Sequence, residues 1–316
     1  MKPRLIITAG DPLGIGPEIA VKAARSAALR RAAELFIVGD RAALEAAGWL
    51  PGLCPLLAVD APGLDLSKNV PAPASGRCSY KAVLAALRLL KTGAFDALVT
   101  APICKRAWEL SGARFYTHTD LFRDIEKKEL LMMFSRGKIN VGLATEHLPL
   151  KSLPRAITVP LIIQKTMLLR GALWRLGFKN PAIGVCALNP HAGDGGLTGR
   201  EELDVIAPAL KKLKRSGLNV IGPCSPDAAW GKHLRGETDG LLCLYHDQAL
   251  APLKACAAAK PVQSAVHWTW GLPFIRTSPA HGTAFDIAGR GLADASGIIE
   301  AALFAARLVR GNGAAV

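Results

Sequence analysis

A chain of 316 residues exceeds what one hydrophobic core usually organises, so two domains or one large α/β unit are expected. Hydrophobic residues make up 50% and charged ones 20%, which excludes intrinsic disorder, and no stretch reaches the roughly 18 uncharged apolar residues of a membrane span. The formal net charge of +14 is carried on scattered Lys and Arg residues with no aromatic-interleaved basic stripe, which favours anionic small molecules over a nucleic-acid partner.

The N-terminal stretch MKPRLIITAGDPLGIG holds a five-residue apolar run before a glycine loop, too short for a signal peptide, and a cytoplasmic location is expected. Leu5 to Thr8 reads as a strand, and Pro17 with Glu18 opens a helix to about Ala28. LFIVGD (35–40) predicts a second strand, 41–48 a helix and PLLAV (55–59) a third strand; a Pro/Gly/Ser-rich loop fills 61–76. A helix over 78–92 ends at Gly93, and DALVTAP (96–102) is a buried strand. Apolar runs follow at 129–134 and 139–144, then a long helix at 158–176, a strand at 182–187 and a helix at 200–215. Lys211, Lys212, Lys214 and Arg215 close that last helix, where they suit the negative pole of its dipole. Strands at 218–221 and 240–245, a helix at 249–259, a strand at 262–266 and helical patterns at 283–289 and 297–310 complete the chain. Such alternation predicts an α/β protein with parallel strands.

The seven cysteines are odd in number and contain no CxxC pair, so they read as reduced thiols and not as a disulfide framework or thiolate zinc site. Three of the seven histidines share one placement. His147, His191 and His246 each follow a short apolar run, in VGLATEHLPL, AIGVCALNPHAGDGG and GLLCLYHDQ. Were those runs strands of one parallel sheet, the imidazoles would meet at its carboxyl edge, where α/β folds bind ligands. Neutral imidazole suits Zn, Co, Ni or Fe better than Mg or Ca. The bland alternative is three ordinary loop histidines. His233, in the charged stretch GKHLRGE, has no assigned role. Glycine segments occur at AGDPLGIGPEIA, whose amides can approach an anion but which lacks the GxGxxG order, at NPHAGDGGLTGREE and at HGTAFDIAGRGLADASG.

The first and last glycine segments together resemble the signature of the isocitrate and isopropylmalate dehydrogenase superfamily of oxidative decarboxylases. Within it, THTD (117–120), EHLPL (146–150), NPHAGDGG (189–196), YHDQ (245–248) with Lys254, and GLPFIRTS (271–278) are similar to the 4-hydroxythreonine-4-phosphate dehydrogenase family, over about residues 4 to 310. The resemblance implies a two-domain α/β subunit of isocitrate/isopropylmalate dehydrogenase-like fold with the active-site cleft between domains. One domain would comprise 1–123 and 273–316, and the other, carrying dimer contacts, 124–272. It implies a homodimer in which His147, His191 and His246 bind a divalent metal (Zn foremost; Co, Ni, Mn or Mg as alternatives), one ligand crossing the dimer interface. His118, Thr119, Lys254 and Arg276 would contact substrate. Asn189, Gly193, His281, Gly282 and Thr283 would contact NAD or NADP. Asp227, Asp247 and Lys254 are the candidates for ligand orientation, proton relay and base. The reaction implied is oxidation of a phosphorylated hydroxyacid, 4-phosphooxy-L-threonine in the vitamin B6 route, to a β-keto acid that decarboxylates to 3-amino-2-oxopropyl phosphate.

Several positions depart from the family pattern. Thr117 stands where Gly is usual, Asp120 where Glu is, Ala249 where Gly follows YHDQ, and His267 where a substrate-contacting Asn is expected. A β-branched residue for glycine restricts the backbone, and an imidazole for an amide changes hydrogen bonding. Trp268 and Trp270, one and three residues beyond His267, are expected to reshape the pocket. These departures admit a paralogue acting on a phosphorylated threonate or erythronate, or on a carboxylated cyclic dihydrodiol. Without catalysis, the third reading is a metal- or nucleic-acid-binding protein.

Overall fold

The computed structural model describes residues 1–259 and 264–311, which form two compact units: Met1–Glu129 together with the chain from Leu272, and Leu130–Gly271. The first unit runs β1 (Arg4–Thr8), α1 (Gly16–Arg25), α2 (Ala27–Ala32), β2 (Glu34–Gly39), α3 (Arg41–Ala46), β3 (Leu56–Ala58), α4 (Pro73–Lys91), β4 (Ala97–Thr100), α5 (Lys105–Leu110) and α6 (His118–Glu126). The second holds β5 (Leu131–Arg136), β6 (Ile139–Leu143), α7 (Leu153–Ala156), α8 (Val159–Arg175), β7 (Ile183–Cys186), α9 (Ala207–Arg215), β8 (Val220–Cys224), α10 (Pro226–Leu234), β9 (Gly240–Cys243), α11 (His246–Ala259) and β10 (Val266–Trp270). The chain then returns to the first unit with β11 (Ile275–Pro279) and α12 (Ser296–Arg310).

In the first unit the strands are all parallel, in the order β3-β2-β1-β4-β11. The order reverses between β1 and β4, where an open sheet of this kind usually leaves a ligand crevice. Here the loops after the two strands fill that position: Asp11 N–H donates to Pro102 O at 2.9 Å, and a Cβ on Gly10 would collide with the same carbonyl. Gly10, at φ 72, is the residue type that close approach requires.

In the second unit the order is β10-β5-β6-β9-β7-β8. The pairs β6/β9, β9/β7 and β7/β8 are parallel, but β5 pairs antiparallel with both β6 and β10. The all-parallel expectation is corrected here. Only Gly137, at φ 56, and Lys138 separate β5 from β6, and so short a link makes a hairpin and not a crossover. Met132, Phe134, Val141, Leu143, Leu241 and Cys243 pack with Trp230 of α10 and with Ala249, Leu250 and Leu253 of α11. Against another part of the sheet lies α8, whose Gly171 faces the Trp270 indole.

Three other expectations are corrected. The helix expected at 283–289 is a series of turns, because Ala284 (φ 41), Gly289 and Gly291 (each φ 74) are left-handed. The strand expected at 262–266 is β10, starting at Val266; residues 260–263 lie outside the described residues. The helix after the Pro/Gly/Ser-rich loop begins at Pro73, since proline suits a first turn, and not at residue 78.

Candidate functional site

The histidine row is carried by three adjacent parallel strands. In the order β6-β9-β7, His147 lies four residues beyond Leu143, His246 three beyond Cys243, and His191 five beyond Cys186. All three therefore leave the same edge of one sheet. The His147 and His246 rings lie 5.4 Å apart between centroids. Beside them, Asp247 Oδ1 is 2.7 Å from His246 Nδ1; with the proton on Nδ1, this leaves Nε2 as the free lone pair. Among the described residues of the single chain no group of three His, Cys, Asp or Glu side chains is placed to hold a metal ion.

His191 stands on an unusual backbone. Residues 191–195 form a left-handed turn, with φ of 52, 55, 80, 44 and 66 from His191 to Gly195. Only two of the five are glycine. Glu202, 2% exposed, anchors the root of the turn: Oε1 accepts from Leu188 N at 2.7 Å and Asn189 N at 2.8 Å, and Oε2 from Asn189 Nδ2 at 2.9 Å. The Asn189 amide also donates to Glu201, and a Cβ on Gly193 would sit 2.7 Å from Glu202 Oε2. The Asn189 side-chain N–H2 is thus engaged by Glu201 and Glu202, and Gly193 leaves room for the Glu202 carboxylate. Asp227 is exposed, its pKa lowered first by the Ser225 hydroxyl, then by the Ala228 N–H, with a smaller contribution from His191.

Gln248 joins two of the histidine-bearing strands. Its Oε1 accepts from Leu244 N at 2.7 Å, beyond β9, and its Nε2 donates to Ala187 O at 2.9 Å, beyond β7. The Gln248 carbonyl accepts from Trp230 Nε1 at 2.9 Å. Neither Gln248 nor Glu202 stands out in the sequence, because each sits among other polar residues at a helical start, Asp247 beside the one and Glu201 beside the other. Lys254 is exposed on α11, and Ala249 is fully buried beneath that helix, inside the apolar cluster.

His267 lies half-buried on β10, stacked on Phe134 at 5.0 Å with 25° between planes. Trp268 and Trp270, one and three residues further on, point to the opposite face by the two-residue period of a strand. Trp268 is fully buried, donating to Ser135 Oγ at 3.0 Å, and Trp270 lies against α8. Trp268 belongs to the core and Trp270 is half-buried against α8, both on the face opposite His267, so the expectation that they reshape a pocket around His267 is corrected.

The first unit holds a separate polar cluster. Arg276 on β11 is 3% exposed; its Nη2 donates to Thr100 Oγ1 at 2.7 Å, and its guanidinium lies 5.6 Å from the Phe122 ring centre. Burial pushes its pKa down to about 9. His118 starts α6, stacking on Phe122 at 5.9 Å with its edge toward Trp108, and Thr119 is buried beside it. The cap of α6 is Thr117: its Oγ1 accepts from Asp120 N at 3.1 Å and donates to Asp120 Oδ2 at 2.7 Å. Thr117 has φ −131 and ψ 152, a conformation β-branched residues favour, so the expected backbone restriction is corrected to an unstrained cap.

The third glycine segment meets the first. Ile15 N donates to Thr283 O at 2.9 Å, and a Cβ on Gly14 would touch Thr283. His281 is exposed, its Nδ1 3.1 Å from Gly282 O, with its ring against Gly297 at the start of α12. Glu18 Oε1 accepts from Ala293 N and Lys22 Nζ, while Lys22 also donates to Gly291 O and Ala293 O, tying this loop to α1.

A chain of two such α/β units has the two-domain fold of a dehydrogenase family. Residues 21–305 match the family described as pyridoxal phosphate biosynthetic protein PdxA, and the chain belongs to that family. It is 36% identical to a 4-hydroxythreonine-4-phosphate dehydrogenase of Geobacter metallireducens, over 99% of this chain and 97% of the relative. A Bradyrhizobium diazoefficiens protein with the provisional name D-threonate 4-phosphate dehydrogenase is 39% identical, over 98% of each chain. The crystal structure of 4-hydroxythreonine-4-phosphate dehydrogenase from Klebsiella pneumoniae superposes with a TM-score of 0.85 at 30% identity, covering 98% of each chain. The protein is thus an NAD(P)-dependent dehydrogenase acting on a CH–OH group. No single helix among the described residues is long and apolar enough to cross a membrane.

Proposed function

We propose that the protein is a metal-dependent, cytoplasmic homodimer that oxidises 4-phosphooxy-L-threonine to a β-keto acid, which loses CO2 to give 3-amino-2-oxopropyl phosphate. The observation that carries the reaction type is the row of His147, His246 and His191 along three adjacent strand ends. Their imidazoles fit a borderline divalent cation, zinc foremost, and the His246–Asp247 contact is the orienting carboxylate such ligands commonly have. A divalent cation held there supplies positive charge that favours loss of the hydroxyl proton and draws electrons during decarboxylation.

The chain's own groups do the rest. The buried guanidinium of Arg276 gains from an anion beside it, because burial disfavours its charge; with His118 and Thr119 it is suited to hold the phosphate. Lys254 either anchors the carboxylate or takes the hydroxyl proton, and Asp247 keeps His246 in one tautomer. Asp227, ionised beside His191, favours that ring's orientation. His281, Gly282 and Thr283 approach the dinucleotide, NAD or NADP. The third metal ligand is contributed across a dimer of this chain; Leu148, Leu150 and Leu197, exposed beside the histidine loops, support such a contact.

His267 favours a second substrate of the same class, D-threonate 4-phosphate. Threonate carries a hydroxyl where the amino acid carries an ammonium, and a protonatable imidazole tolerates the hydroxyl better than the cation. The test is nicotinamide reduction, with NAD and with NADP, over both phosphorylated acids, erythronate 4-phosphate and their unphosphorylated counterparts. Turnover confined to phosphorylated acids, lost on chelation and restored by Zn2+, is expected. Normal turnover by metal-free enzyme would sink the metal reading. If His267→Asn leaves the ratio between the two phosphorylated acids unchanged, His267 does not set substrate choice.

A further inference from the structure

We infer that Glu202 is a positioning residue for His191: its buried carboxylate holds the left-handed turn on which that imidazole stands. The inference rests on the metal reading above.

A left-handed conformation costs a non-glycine residue roughly 1–2 kcal/mol, and His191, Ala192 and Asp194 all adopt it in succession. Such strain persists only where the surroundings over-determine it. At the edges of the turn the backbone bonds are long: Ala192 N to Asn189 O at 3.2 Å, Thr198 N to Gly193 O at 3.2 Å and Leu197 N to Asp194 O at 3.4 Å. The strong bonds lie at its root, on Glu202. One carboxylate oxygen takes both backbone N–H groups that lead into the turn, and the other takes the Asn189 amide.

Both flanking glycines are shaped to this contact. A side chain on Gly193 would press on Glu202 Oε2, and the Asn189 amide occupies the Cβ position of Gly199. Glu202 begins a π-helical turn, Glu202–Ile206, of the kind often found at functional sites, before α9 resumes ordinary geometry. The carboxylate makes no bond to His191 itself; it fixes the backbone from which the imidazole projects.

The test is calorimetric titration of Zn2+ into the intact metal-free chain. Glu202→Gln keeps an acceptor for Leu188 and Asn189 but sets one amide N–H2 against another. It is expected to weaken Zn2+ binding tenfold or more, the range for residues that orient a metal ligand, with turnover recovering at saturating Zn2+. Asn189→Ala, which spares the two backbone bonds, is expected to change affinity in the same direction and serves if Glu202→Gln does not fold. Unchanged Zn2+ affinity in a folded variant overturns the inference alone. Absence of Zn2+ binding by the wild-type chain overturns the metal reading and the inference with it.

Discussion

Asp11 is wholly buried in the turn between β1 and α1, with Leu13 N on one oxygen and the Ser75 hydroxyl on the other. Burial outweighs both bonds and raises its pKa from 3.8 to about 6. The native state therefore holds this proton more tightly than the unfolded chain, and stability falls as pH rises from the unfolded value through the folded one. About two units correspond to at most about 3 kcal/mol. Asp11→Asn, which keeps the acceptor for Leu13, should raise Tm at about pH 8 and leave it unchanged at about pH 4. His233 has the opposite sign. Buried between Asn140 N and Thr238, its pKa is lowered by burial, so stability is lost as pH falls below its unfolded value of 6.5. His233→Gln should flatten the acid side of a Tm-against-pH curve. At this scale the histidine row was legible in the sequence, because each member follows an apolar run that had to be a strand. Glu202 and Gln248 were not, because their meaning lies in backbone groups 13 and 14, or 4 and 61, residues away along the chain.

Among the elements, α6 shows how two departures from a family pattern can be one change. Thr117 and Asp120 satisfy each other as an N-terminal capping pair, so neither alone reports on substrate. Thr117→Ala should cost about 1 kcal/mol in denaturant unfolding, with the preference among phosphorylated acids unaltered; an altered preference would return Thr117 to the substrate question. The turn after β7 offers a converse case. Ala192 sits at φ 55, where glycine is free of side-chain strain. Ala192→Gly should stabilise the fold by about 0.5–1 kcal/mol, the strain relieved less the extra entropy of an unfolded glycine. Strand periodicity was readable from sequence for β1, β2, β4, β7 and β9, which are short and apolar throughout. The hairpin β5–β6 was not, since buried runs carry no mark of strand direction. The turns at 285–291 were misread because Ala, Phe and Ile there keep helical spacing while the left-handed Ala284 and the glycines forbid a helix.

For the molecule as a whole, the proposed site shared between two copies would make activity depend on concentration. Leu197, 89% exposed, follows the His191 turn, and Leu150, 66% exposed, follows His147. The double variant Leu150→Asp, Leu197→Asp should sediment as a monomer and lose Zn2+ affinity together; full turnover by a monomer would refute the shared site. The α/β character of the chain was legible in the alternation of its elements, whereas length left two domains or one large unit open, and the domain division and a copy-to-copy contact were expected only from family resemblance. The Gln248 bridge has an evolutionary consequence. It ties the ends of β9 and β7 into one plank, whereas His267 lies on β10, outside it. If His267 has the proposed role, substitutions that retune which acid is accepted can accumulate on β10 while the plank is inherited intact. A lineage built this way can exchange one phosphorylated acid for another in small steps without passing through an inactive ancestor.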